Sequence, residues 1–184
     1  MSTHKLELRS VRINERLSEE TTCFAATLYV DGKRAAVVGN HGHGGAIFFP
    51  QVFDKALLMI AEAEAVSRPS TRAFGMDIPA SLELVVFGLV EDERQRQFVA
   101  RETLARRRVD RRAVKFMLDG EMKSLGVKPP YLWGPPEVEK TIAEIKRRHP
   151  TARIFCEMTK EAVAQMIRDE LAAGAQAVME LQGF

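Results

Sequence analysis

Asp31-Gly32 stands between two apolar-rich runs, Cys23–Val30 and Ala35–Val38, and no other feature constrains the fold of this chain as tightly. A two-residue hairpin turn of this kind needs φ > 0 at both central positions. Aspartate and glycine tolerate that, so the flanking runs are predicted to pair antiparallel. Phe24, Ala26, Leu28 and Val30 alternate onto one face of the first run. Upstream, Leu6, Leu8, Val11 and Ile13 read as another half-buried strand whose alternation slips near Ser10, where a bulge is expected. Leu17-Ser18-Glu19-Glu20-Thr21 is a polar turn between the two strands. The first third of the chain is therefore expected to be an antiparallel meander.

Helical spacing takes over later. Gly39 to Gly45 is a glycine-dense loop, and Ala46 to Phe49 a short strand before Pro50. Val52 to Val66 reads as a helix with Phe53, Leu57, Ile60 and Glu64 on one face. Ser67 to Pro79 is expected to be a loop of about a dozen residues, long for an internal connection. A second helix opens near Ser81, carries Leu82, Val85, Val86, Leu89 and Val90, and is predicted to run as far as Arg112. Val114–Leu118 is a strand, with Asp119-Gly120 as a second hairpin turn.

The segment from Pro129 to Pro136, which holds Tyr131 and Trp133, cannot be helical, because its prolines lack amide donors. A helix is expected from Glu137 to Arg148, a strand from Ala152 to Cys156, and a last helix from Lys160 to about Ala173 capped by Thr159. Consecutive strands joined by tight turns favour an α+β fold over a doubly wound sheet. The expectation is an N-terminal antiparallel β meander packed with three or four helices as a single pair of layers. With 184 residues and 46% hydrophobic content, the chain suits one core. Residues 1–157 are read as one domain and 158–184 as a C-terminal helix and tail packed on it or extending it.

A net charge of +2 is too mild to require a nucleic-acid partner, so the distribution of charge must decide. Cys23 and Cys156 lie far apart in apolar surroundings, which suits buried thiols in a reducing compartment. Met1 to Glu15 has no continuous apolar stretch of the signal-peptide kind. Leu82 to Val90 is much shorter than the roughly 20 residues of a membrane span. A cytoplasmic protein with no membrane partner is expected.

Two places could carry function. In the glycine loop, Asn40, Gly42, His43, Gly44 and Gly45 could turn backbone amides toward an anion or a small ligand such as a nucleotide. The reading preferred from glycine punctuation is that glycine and asparagine are there only because the bend needs φ > 0. His41 and His43, two apart, could begin a metal site, but no third ligand stands at a fitting spacing. No metal or cofactor is assigned. The second place is the basic helix with Arg94, Arg101, Arg106, Arg107, Arg108, Arg111 and Arg112, which could meet phosphates or an acidic partner. The interleaved Glu91, Asp92, Glu93, Glu102 and Asp110 could instead neutralise it as a solvated face. Tyr131 and Trp133 could stack on a base or cover a core edge. No Ser-His-Asp, Cys-His or Gly-x-Ser-x-Gly arrangement is present.

Leu17-Ser18-Glu19-Glu20-Thr21, Tyr29-Val30-Asp31-Gly32-Lys33 and Asn40-x-Gly42-His43-Gly44-Gly45 together resemble the opening of small proteins encoded in tailed-phage and prophage genomes. That resemblance implies expression inside a bacterial cell and carries no catalytic residues with it. It suggests a non-enzymatic accessory protein that binds a host protein or nucleic acid and so antagonises a host process. A small-ligand binder using Asn40–Gly45 and a metal-dependent hydrolase using His41 and His43 are the alternatives.

Overall fold

The computed structural model describes residues 4–73, 76–109, 113–126 and 134–181. The fold is α+β, and the chain divides into two compact units, Met1–Gln95 and Arg96–Phe184. The division falls inside a long helix.

The first unit is built on a four-stranded antiparallel sheet in chain order: β1 (Leu6–Ile13), β2 (Phe24–Val30), β3 (Lys33–Asn40) and β4 (Phe48–Val52). The β2–β3 hairpin turns at Asp31-Gly32 with φ of +49° and +76°. Asp31 is also tied to the start of the chain, accepting hydrogen bonds from the Lys5 amide at 2.8 Å and the His4 ring at 2.7 Å. In β1, Ser10 sits at φ +54° where the pairing with β2 shifts register. That extra residue switches the parity of the strand, so Leu6 and Leu8 before it and Val11 and Ile13 after it all join the same core.

Helix α1 (Lys55–Val66) begins later than its apolar spacing suggested. Asp54 is extended at its N-cap and accepts from the amides of Ala56 and Leu57, so Val52 belongs to the edge strand β4 and Phe53 to the bend before the cap. Pro50 sits in that edge strand, where a missing amide costs nothing to the ladder. The expected loop from Ser67 to Pro79 contains a small hairpin, β5 (Thr71–Ala73) with β6 (Met76–Ile78). Helix α2 (Leu82–Arg107) follows, ending short of the expected Arg112. Phe24, Leu28, Val30, Val38, Ala61, Ala65, Val86 and Val90 form one buried cluster of strands and helices.

The second unit contains a three-stranded sheet in the order β8-β7-β9: β7 (Ala113–Leu118), β8 (Glu121–Gly126) and the two-residue β9 (Arg153–Ile154). Asp119-Gly120 makes the second hairpin, with φ of +52° and +79°. Successive β7 side chains point to opposite faces. Val114, Phe116 and Leu118 pack with Ile145 of α3 (Pro135–Arg148), while Met117 packs with Val99, Phe155, Val163 and Ile167. Helices therefore cover both faces of this sheet. Pro135 and Pro136 occupy the first turn of α3, where no amide donor is needed. Thr159 caps α4 (Lys160–Leu181) by accepting from the Ala162 amide at 3.2 Å.

On α3, Arg147 and then Arg148 hold the Glu144 carboxyl down to about 2, from an ordinary value near 4.5. Whatever this exposed cluster adds to stability is present above pH 4.5 and lost as pH falls toward 2. Carboxyl NMR should find the Glu144 midpoint about 2 in the native chain and back near 4.5 in Arg147→Ala/Arg148→Ala. Among the described residues, no helix is long and apolar enough to cross a membrane.

Candidate functional site: a clasp and a groove in the first unit

In a meander, alternate connections lie at the same end of the sheet, so the β1–β2 turn meets the β3–β4 loop. A single 3-10 turn, Glu15–Leu17, opens the first connection, capped by the Asn14 side chain. Ser18 then ties it off: its hydroxyl donates to the Asn14 carbonyl at 2.9 Å and accepts from the Cys23 amide at 2.9 Å. The next three residues close on the glycine loop. The Glu19, Glu20 and Thr21 amides all donate to the Gly42 carbonyl, at 2.9, 3.0 and 3.3 Å.

Asn40 is the centre of this clasp. It is the last residue of β3, not an exposed loop residue, and only 2% of it reaches solvent. Its Oδ1 accepts from the Gly42 amide and the Thr21 hydroxyl, both at 2.8 Å, and its Nδ2 donates to the Gly45 carbonyl at 3.0 Å. The Gly44 amide donates to the Thr21 hydroxyl oxygen at 3.3 Å, and the Ile47 amide to Glu83 of α2 at 2.9 Å. Three polar groups would lose their partner in Asn40→Ala, so a loss of about 3 kcal/mol is expected by urea denaturation. A double-mutant cycle with Thr21→Val should return a coupling above about 1 kcal/mol.

The donors that would make an anion cradle are therefore spent inside the loop at Gly42 and Gly44. Glu19 and Glu20 stand beside them, so an arriving anion would meet like charge. The two histidines serve different partners: His41 stacks on Phe48 at 4.3 Å, and the His43 ring meets Glu19 at 3.1 Å. Among the described residues, no group of three or more His, Cys, Asp or Glu is placed to hold a metal. Cys23 and Cys156 are free thiols, and burial raises the pKa of the latter.

The clasp forms one wall of a solvent-open groove of about 550 Å³, lined also by Glu15, Leu84, Phe87 and Arg94. Arg94 donates to Glu15 at 3.0 and 3.1 Å and reaches Glu91 at 3.5 Å. These carboxylates, Glu15 first, hold its pKa up. The other arginines of the basic run lie in the second unit. Arg106 is 13% exposed and grips Glu170 with two hydrogen bonds of 2.9 and 2.7 Å, which raises its pKa. Arg107 donates to the Met158 carbonyl at 3.0 Å. Arg101 lies 5.8 Å over the Phe98 ring, and Arg108 is exposed. Arg111 and Arg112, like Tyr131 and Trp133, lie outside the described residues.

Sequence reasoning passed over Glu15, Thr21, Glu83, Leu84 and Phe87. The signal for Thr21 was available: a meander puts residues 17–21 and 40–45 at one sheet end, and a buried Asn there needs partners. No protein-family model, curated protein or solved structure matches this chain.

Proposed function

We propose that this protein is a non-enzymatic accessory protein of the phage or prophage type that works by docking onto a host protein. One contrast carries the reading. Arg94, Arg106 and Arg107 close bonds within their own units, whereas Met59 and Val66 are each 68% exposed and Leu84 is 42% exposed. Phosphate binding needs cations free to replace counterions, and association with a protein uses apolar side chains left in water. Interference with a host process is the setting suggested by the segments Leu17–Thr21, Tyr29–Lys33 and Asn40–Gly45.

The test is affinity capture on the immobilised chain from a bacterial lysate, with and without nuclease. A stoichiometric protein retained after nuclease treatment supports docking to a protein. Recovery of no protein, or of material that nuclease removes, overturns it.

A further inference from the structure

We infer that the groove beside the clasp is the docking surface, and that it takes a protein segment bearing lysine or arginine. This rests on the docking reading above and adds the place and the chemistry.

The groove is lined by apolar Leu84 and Phe87 on α2 together with the carboxylates of Glu15, Glu19 and Glu20. Three carboxylates face one guanidinium, and that guanidinium, Arg94, is held by Glu15 and Glu91. Glu20, and Glu19 on the side its 3.1 Å contact with the His43 ring does not cover, are then the charges that meet a visitor. Their own backbone amides are fixed on the Gly42 carbonyl, so the carboxylates are presented from a pinned main chain. Lysine and arginine suit a surface that is apolar and acidic together. Their methylene stems lie on apolar ground while the cationic head stays at a wet, charged edge. An arginine head can also lie over an aromatic face such as that of Phe87. A nucleic acid would bring phosphates to the same carboxylates and be repelled.

The probe is a fluorescein-labelled peptide of alternating lysine and leucine, compared with one of glutamate and leucine, titrated against the full chain by fluorescence anisotropy. The lysine peptide should bind more weakly as salt rises, and the glutamate peptide should not bind. Glu19→Gln/Glu20→Gln should weaken binding about tenfold, mainly through slower association. Leu84→Ala should weaken it a few-fold by removing apolar lining. Both variants keep the clasp's main-chain bonds, and unchanged melting temperatures would check that. A second control, Glu139→Gln/Glu161→Gln in the other unit, should bind like the native chain.

Equal affinity for both peptides, or an affinity indifferent to Glu19→Gln/Glu20→Gln and Leu84→Ala, overturns the groove. A captured host protein retained equally by those variants also overturns it while leaving docking in place. Peptide binding that follows the variants, with no protein captured from lysate, supports the groove and overturns the docking role.

Discussion

Gly42→Ala is expected to cost more than about 4 kcal/mol, enough to unfold most small proteins. Gly42 has φ +91°, a region that an L side chain avoids, and it is buried against the β1–β2 turn. A β-carbon there would run into the Leu17 carbonyl oxygen and come within 2.8 Å of the Cys23 β-carbon. The Leu17 contact is with backbone, so no rotamer change relieves it. Moving Gly42 away also pulls its carbonyl from the three amides of Glu19, Glu20 and Thr21. Urea denaturation followed by far-UV circular dichroism reads the loss. A variant within about 1 kcal/mol of the native chain would show that the loop is looser than described.

Phe155→Ala is the corresponding large effect in the second unit, with an expected loss of about 3–5 kcal/mol. The ring is fully buried among Val99, Met117, Val163 and Ile167, which come from α2, β7 and α4. The Arg106 guanidinium lies 5.7 Å from its centre, so the truncation also removes the surface beneath an ion pair with Glu170. Denaturation should show the loss, and amide exchange at Val114–Leu118 should accelerate with it. Phe155→Leu, which keeps most of the volume, should recover most of the stability.

Local chemistry made part of this molecule readable in advance. The two Asp-Gly turns follow from the backbone preferences of those residues, the Ser10 bulge from the slip in apolar alternation around it, and Thr159 caps its helix by a bond three residues away. The start of α1 was misplaced because Phe53, Leu57 and Ile60 imitate a helical face. Asp54 overrides that pattern, since its capping bonds require an extended residue at that point. The β5–β6 hairpin was hidden in a segment whose Pro69 and Ser70 signal a loop.

The candidate sites were harder to read for a different reason. Asn40 looks like one more loop residue until its partner Thr21, nineteen residues earlier, is brought to it by the meander. The basic run looks like a phosphate surface, with Glu102 the evident local counter-charge. The carboxylate that closes on Arg106 with two hydrogen bonds is Glu170, sixty-four residues away. Spacing along a helix reports i,i+4 neighbours and is blind to partners supplied by another element.

Whether the glycine loop is a closed clasp can be read at one atom, the Gly42 amide hydrogen. In native-state exchange followed by NMR it should exchange at least about a hundredfold more slowly than in an unstructured chain, because it is buried and held by Asn40. Exchange at the unstructured rate would mean an open bend with its amide in water, and the pinned wall of the groove would be lost with it.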